Sequence, residues 1–248
     1  MTIIAFNRYW VVRWPWVMAN LFVVTILLGL SFWQWQRAAE KSHTLARIAS
    51  WQQQGAINLM RLSSINPGEQ DGVQLQFNAR WLSPMVWLVD NQMVDGRIGY
   101  DVLIAVEDVT ANSSARSALL VNLGWVVGPL DRNSLPSIDV PEELKVDGIF
   151  RTRIKGVLLG KNIEDKGTWP MRLQQVDIES LNSWIQLPLV NGLAYQGKNS
   201  PYLHHYNPVI LPPERHKAYA LQWFLLALAV IVIALAASSR KHPQGATS

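Results

Sequence analysis

The 248-residue sequence is 49% hydrophobic and 16% charged, with no cysteine and a net charge of +4. The lack of cysteine excludes disulfides, thiolate metal sites and cysteine nucleophiles. The basic residues form no run or stripe, so nucleic acid is not an expected partner. Once two apolar spans and their tails are set aside, about 160 residues remain, a common size for one domain.

The first predicted element is an apolar helix over residues 14–36. Its length suits a membrane span, and the bulky Trp33 and Trp35 stand where a cleaved signal peptide needs small residues. We therefore predict a retained transmembrane helix. Apolar residues continue at helical spacing until Gly55, so the helix should extend beyond the membrane.

Strand patterns follow the helix. Val73–Trp81 alternates apolar and polar residues and predicts a half-buried strand. Met85–Gln92 and Ile98–Val106 flank Asp95-Gly96, a dipeptide typical of a tight hairpin turn. Ala118–Val127 is typical of a strand buried on both faces.

The remaining domain is also predicted to be mainly β. Val146–Ile154 alternates, and more strand is expected at Met171–Ile178 and Leu187–Tyr195. Asp177 should cap a short helix. Because the strands recur without crossover helices, residues 37–217 should form a mainly antiparallel β (α+β) domain, either a sheet or an open barrel.

A second membrane helix is predicted over residues 218–237, which carry no charge and would span about 30 Å. The tails, 1–13 and 238–248, are basic, through Arg8, Arg13, Arg240 and Lys241. By the positive-inside rule both termini should be cytoplasmic and the domain periplasmic. We thus predict a two-span α-helical membrane anchor in a bacterial inner (plasma) membrane.

A search for catalytic motifs gives no nucleophile elbow, phosphate loop, dinucleotide fingerprint or zinc-peptidase motif. An enzyme is therefore not predicted, although a membrane-tethered hydrolase whose nucleophile and base meet only in the fold stays open. His204 and His205 could ligate a metal, but adjacent side chains diverge in an extended segment, which favours an ordinary polar loop.

The domain end of the two spans carries aromatic and basic residues at helical spacing: Trp33, Arg37 and Lys41 on the first, and His216, Tyr219 and Trp223 on the second. A planar ligand with carboxylate ends could bind Arg37 or Lys41 and place a metal on His216, which describes a haem. Alternatively, the cations reach lipid phosphates and His216 is solvated; spacing alone favours this explanation. Gln34 and Gln222 could bridge the helices or lie among headgroups.

Four segments resemble the surfeit-locus-one family of cytochrome c oxidase assembly proteins: LGLSFWQWQRAAEK, LVDNQMVDGRIGYDVL, ALLVNLGWVVGP and ERHKAYALQWFLLALA. Their order along the whole chain makes the combination specific. The resemblance implies an inner-membrane factor, not a conventional enzyme, that assists formation of the haem a-containing oxidase subunit. Bacterial relatives are thought to bind haem a.

The resemblance places the family's histidine at His216, its WQxxR motif at Trp33, Gln34 and Arg37, and its domain signatures at Gly99, Tyr100, Asn122, Gly124 and Trp125. The chain departs from the family at Leu123, where an arginine is usual. Gly99 and Gly124 also fall inside predicted strands, where glycine marks a bulge or a close approach. We expect them to shape the sheet, and a partner surface is the alternative.

The resemblance, together with the residues at the domain end of the spans, predicts an assembly factor that binds haem a transiently and assists its insertion into the catalytic subunit. Its cofactor-binding residues would be His216 as metal ligand with Arg37, Trp33, Tyr219, Trp223 and Lys41. The expected partners are cytochrome c oxidase subunit I, other oxidase assembly factors and membrane lipid. The alternative is a cofactor-free scaffold or chaperone for oxidase subunits.

Overall fold

The computed structural model describes residues 2–5, 8–11, 13–111, 116–152, 162–197 and 199–241. Its elements are β1 Thr2–Ala5, β2 Arg8–Val11, α1 Trp14–Gln54, α2 Leu59–Ser63, β3 Gln74–Val94, β4 Arg97–Asp108, β5 Ala118–Val127, β6 Glu143–Arg151, β7 Ile163–Glu164, β8 Met171–Leu173, α3 Ile178–Asn182, β9 Leu189–Gln196, α4 Pro213–Ser238 and β10 Ser239–Lys241. The chain divides into two compact units: Met1–Leu45 with Val209–Ser248, and Ala46–Pro208.

Two helices, α1 and α4, are long and apolar enough to cross a membrane. The core helix of a soluble protein is mostly buried, whereas 0% of the most apolar stretch of α1 and 11% of that of α4 are buried. The predicted extension of the first helix is confirmed, because α1 continues past residue 36 to Gln54. Proline near the start of α4 suits the first turn of a helix, where backbone N–H groups have no partner.

The two tails contain strands that the sequence did not predict. Strand β2 pairs antiparallel with β1 and also with β10, so both ends of the chain share one small sheet. Segments of three or four residues are too short for a periodic pattern. Their pairing could therefore be found only in the folded structure.

The second unit contains a closed ring of strands. Strand β3 pairs with β4 and β6, β4 with β5, β5 with β9, and β9 with β6. Four of these five pairings are antiparallel, and β5–β9 is parallel. Outside the ring, β3–β8 is also parallel. The predicted sheet or open barrel is thus corrected to a closed, mixed and mostly antiparallel barrel.

Strand β3 replaces two predicted strands. Val73–Trp81 and Met85–Gln92 belong to one strand of 21 residues, which passes through register shifts against β4 between Trp81 and Val86 and between Val89 and Gln92. The predicted hairpin turn is confirmed, since Asp95 and Gly96 have φ of 48° and 74°. Both values lie in the left-handed region that such a turn requires.

The other strand predictions that fall on described residues are confirmed in position, and some of them differ in length. β5 has the predicted bounds, whereas β8 is much shorter than Met171–Ile178. The prediction for 146–154 extends into residues 153–161, which lie outside the described residues. Asp177 is the N-cap of α3, but its carboxylate accepts a hydrogen bond from the Ser180 hydroxyl and none from the helix backbone.

Two hydrophobic cores lie on opposite sides of the sheet. Val102 and Val121 belong to one core with the barrel interior, and the adjacent Leu103 and Leu120 belong to another with Trp87. Side chains alternate along a strand, so covering both faces buries consecutive residues. This explains the unbroken apolar run that predicted β5 to be buried on both faces.

Candidate functional site

Two hydrogen bonds join α1 and α4 within the first unit. The Ser31 hydroxyl donates to the carbonyl oxygen of Ala220 at 2.8 Å, and Nδ1 of His216 lies 2.7 Å from Oε1 of Gln34. Gln34 follows Ser31 along α1, whereas its partner His216 precedes Ala220, the partner of Ser31, along α4. The two helices therefore run antiparallel where they meet.

The least exposed positions of both helices recur at alternating intervals of three and four residues. On α1 they include Asn20, Val24, Leu27, Ser31, Gln34, Ala38 and Lys41, and on α4 Pro213, His216, Ala220, Trp223, Ala227, Val230 and Ala234. Such spacing forms one stripe along each helix. Several members are small, which allows helix backbones to approach closely. These residues form the packing stripe.

His216 lies on the packing stripe in the second turn of α4, and only 8% of the residue is exposed. Its contact with Gln34 is the one hydrogen bond of its ring to a described residue. Nε2 has no such partner and is not among the fully buried polar atoms, so it is accessible from outside the helix pair. A buried imidazole with one nitrogen anchored and the other unused is chemically suited to ligate a metal. The sequence-based alternative, a solvated histidine, stays open, because Nε2 is accessible.

Arg37 and Trp33 contact each other on an exposed part of α1. The guanidinium carbon of Arg37 lies 5.7 Å from the centre of the Trp33 ring, within cation–π range. The same guanidinium pairs with Glu40 at 2.9 Å, a partner that sequence reasoning missed. The Arg37 and Glu40 side chains are 46% and 59% exposed, so this pair stabilises the helix little. Arg37 can therefore exchange Glu40 for another anion at small cost.

Helical geometry places these exposed residues relative to His216. At about 100° per residue, Arg37 lies about 60° and Trp33 about 100° around α1 from Gln34. Tyr219 lies about 60° around α4 from His216, in the same rotational sense. Because the helices are antiparallel, equal rotations lead to the same side of the pair. We call Trp33, Arg37 and Tyr219 the basic-aromatic flank.

The structure brings only some of the six predicted site residues to one side of the helix pair, and their binding of a cofactor stays a prediction. Trp33 and Arg37 are in contact, and Tyr219 lies on their side of the helix pair. Trp223 and Lys41 instead lie half-buried on the packing stripe. The prediction that the Trp33, Arg37 and Lys41 stripe faces His216 is wrong, since Gln34 occupies that position.

The two predicted bridging amides have different outcomes. Gln34 does bridge the helices, through His216 and not through Gln222, which is exposed. The sequence does contain a signal for this pair. Gln34 lies three residues after Ser31 and four before Ala38, so it shares one side of the helix with these small residues. The small residues indicate the close approach that brings an amide within reach of a ring.

A second polar cluster lies in the β-barrel. Nε2 of His205 is 2.5 Å from Oδ1 of Asp101, and the Asn122 amide donates to Oδ2 of Asp101 at 2.8 Å. The hydrogen bond that His205 donates to Asp101 raises the pKa of His205, and burial opposes that shift. His204 is exposed, and the described residues contain no group of three potential metal ligands. This geometry assigns His205 to a structural contact within the domain.

Gly124 and Asn122 shape the same barrel rim. Gly124 has φ of 123° at a register shift between β4 and β5, and Asn122 accepts its N–H at 2.8 Å. A Cβ on Gly124 would lie 2.9 Å from the carbonyl oxygen of Leu203, which pairs with Trp125. The expected bulge and close approach are thus confirmed. Leu123 is 4% exposed and belongs to the barrel core, where it packs as an apolar residue.

A buried ion pair in the domain was missed by sequence reasoning. Asp71 accepts from Arg151 Nε at 2.8 Å and from Arg47 at 2.6 Å. Burial alone would raise the pKa of Asp71, but the hydrogen bond and charge of Arg151, with Thr152 and Arg47, lower it overall. Arg151 also donates to the Tyr206 hydroxyl at 2.5 Å. Apart from Arg47 Nε, which is buried without a hydrogen-bond partner among the described residues, the polar atoms of this cluster pair with one another, and we assign the cluster a structural role.

Comparison with known proteins gives one family. A family model described as the SURF1 family matches residues 21–228, most of the chain. The matched range contains the whole β-barrel, most of α1 and the first part of α4 with His216. A comparison with individually curated proteins gives no significant match.

Proposed function

The chain belongs to the SURF1 family, which is associated with cytochrome c oxidase assembly, and from this membership we propose that it holds haem a for insertion into the oxidase. The observation that carries the proposal is His216: its imidazole is buried between two apolar helices with one ring nitrogen anchored and the other unused. A role in assembly makes the protein a carrier and not an enzyme.

The residues present fit haem in their chemistry. Haem a, when bound, supplies an iron that accepts a histidine nitrogen and propionates that pair with cations. His216 would provide the nitrogen, and Arg37 can bind a carboxylate through two parallel hydrogen bonds. Trp33 and Tyr219 offer aromatic surface on the same flank as Arg37. Lys41 forms no ion pair with a described residue and provides a second cation.

The arrangement along the helices supports an amphiphilic ligand. From Gln34, Arg37 lies about one turn towards the C-terminal end of α1, and from His216, Tyr219 lies about one turn in the opposite direction. The cation and the phenol ring are therefore separated along the helix axis. A ligand with charged groups at one end and apolar groups at the other matches that order.

We further propose that α1 and α4 span the bacterial inner membrane with both termini in the cytoplasm. The exposed apolar surfaces of both helices and the basic tails support this topology. A reporter active only in the periplasm should be active when inserted within Gly55–Pro213 and inactive when fused after Ser248. The reverse pattern would contradict the orientation.

The haem proposal is tested by purifying the full chain from cells that make haem a. The unchanged protein should show haem absorption bands, and His216→Ala should lose or shift them because the iron loses its nitrogen ligand. His204→Ala is the matched control, since this histidine is exposed. Haem bound by His216→Ala with unchanged spectrum and stoichiometry would exclude His216 as ligand. A colourless unchanged protein would favour a cofactor-free scaffold.

The assembly role has a separate test in cells. Cells without this protein should contain less haem-loaded oxidase, while the oxidase that matures should turn over at its normal rate. The proposed partners are oxidase subunit I and other assembly factors. Full haem content with a lower rate per oxidase molecule would contradict an assembly role.

A further inference from the structure

We infer that Gln34 is the positioning residue of this site: it fixes the His216 ring in the tautomer that carries its proton on Nδ1 and so presents Nε2 as the ligand atom. This inference rests on the proposed function, because it assigns the atom through which His216 binds metal. It also gives the Gln34 amide a role beyond joining α1 to α4.

The contact itself selects the tautomer. Nδ1 of His216 faces Oε1 of Gln34 at 2.7 Å. An amide oxygen accepts hydrogen bonds and donates none, so Nδ1 must carry the proton. With the proton on Nε2, two lone pairs would face each other at this distance. A neutral ring protonated on Nδ1 has its free electron pair on Nε2, the nitrogen without a described partner.

The surroundings make this selection strong. His216 is buried and Gln34 half-buried, so water competes weakly for their hydrogen bond. The Ser31–Ala220 hydrogen bond lies one turn away, and Ala38, which is 2% exposed, lies on the other side of Gln34. These contacts hold the backbones at a spacing that the Gln34 side chain bridges. The acceptor is therefore in place before any ligand arrives.

An acceptor on the second nitrogen also tunes the ligand. Metal-ligating histidines commonly donate their other N–H to an acceptor, which fixes ring orientation and raises ligand basicity. Loss of such a partner typically weakens metal binding about 10-fold to 100-fold. We expect a loss in this range for haem a when Gln34 is replaced by a residue that cannot accept.

The first experiment reads the tautomer without haem. The full chain, labelled with ¹⁵N-histidine and purified in detergent from cells that lack haem a, should show His216 protonated on Nδ1. Gln34→Leu should give a mixture of tautomers, and Gln34→Glu should keep the proton on Nδ1. Ser31→Ala is the matched control, because it removes the neighbouring interhelical hydrogen bond without touching the ring. A His216 tautomer that is the same in Gln34→Leu would overturn the inference.

The second experiment adds haem a and measures its affinity and midpoint potential. Gln34→Leu should bind about 10-fold to 100-fold more weakly. Gln34→Glu should restore binding and lower the potential, since a carboxylate makes the ring more electron-rich. If Ser31→Ala and Gln34→Leu weakened haem a binding equally, Gln34 would contribute only to helix packing, and the inference would be overturned. If Gln34→Leu does not fold, an unchanged potential in Gln34→Glu would overturn it.

Failure of the proposed function has a different signature. If His216→Ala binds haem a as the unchanged protein does, the site is wrong and the proposed function fails. If haem binding depends on His216 but is indifferent to Gln34, only the present inference fails. The two outcomes are distinguished by the same set of variants.

Discussion

Two buried carboxylates of the β-barrel and the buried histidine of the helix pair differ in how many of their polar atoms are hydrogen-bonded. In the barrel, Asp71 is bound by Arg151 and Arg47, and Asp101 is bound by His205 and Asn122. In the helix pair, His216 has one anchored nitrogen and one that no described residue uses. Buried polar groups that pair with one another stabilise a fold. Changes at these barrel pairs are therefore expected to lower stability, whereas changes around His216 test the proposed binding site.

The largest expected effect is on the barrel. Asp71→Asn leaves the buried Arg151 without its counter-charge, which should destabilise the domain by about 3–5 kcal/mol. Hydrogen exchange of β3 and β6 peptides in the full chain measures this change. Glu143→Gln, in an exposed pair with Arg80, is the control and should have little effect. Equal protection in Asp71→Asn and the unchanged protein would show that the pair is not needed for stability.

A smaller destabilisation is expected at the barrel rim. A Cβ on Gly99 would lie 2.1 Å from the carbonyl oxygen of Val126 and 2.6 Å from the Trp125 ring. Gly99→Ala should therefore destabilise the barrel by about 1–3 kcal/mol, the usual range for overpacking. Gly68→Ala serves as control because nothing lies within 4 Å of its added Cβ. Thermal unfolding monitors both variants, and a neutral Gly99→Ala would contradict the close approach.

On the helix pair, Arg37→Gln should weaken haem retention without changing the spectrum. Loss of a charge-assisted hydrogen bond of about 1.5 kcal/mol corresponds to roughly tenfold weaker binding. Arg13→Gln, at the other end of α1, should bind normally. Trp33→Leu should change the spectrum little, since the apolar contact is kept. A shifted spectrum in Arg37→Gln would show that Arg37 affects the iron ligand as well as retention.

The smallest effect is a pH dependence of barrel stability. The folded pKa of His205 is raised by its hydrogen bond to Asp101, so protonated His205 stabilises the fold. This contribution, about 1 kcal/mol, should be fully present below the ordinary histidine pKa of about 6.5 and be lost as pH rises through the folded pKa.

Unfolding of the full chain between about pH 5.5 and 8.5 measures this contribution, a range that brackets the ordinary histidine pKa. The loss with rising pH should be absent in His205→Asn and present in His204→Asn, the exposed neighbour. An unchanged pH profile in His205→Asn would mean that another group titrates. Haem retention should not follow this profile, because the His205 contact belongs to the barrel.

Local elements were largely predictable because their signals lie within short segments. Alternation predicted β3, and an unbroken apolar run predicted β5. The Asp95-Gly96 pair predicted a turn that needs positive φ at two successive residues. Helical spacing predicted that α1 extends beyond residue 36. For the site, the apolar helix and its histidine led to the prediction that His216 ligates a metal, and the family resemblance suggested haem a; both stay predictions.

The sequence by itself determined two exposed apolar helices, a mainly β domain and the position of His216, since each depends on residues close together in the chain. The tertiary structure decided that β5 and β9 pair in parallel, that Asp71 meets Arg151, and that Gln34 meets His216. These partners are separated by tens to hundreds of residues. Periodicity reports which side of an element is buried but not which element covers it, so the anchored imidazole became visible only when α1 and α4 were brought together.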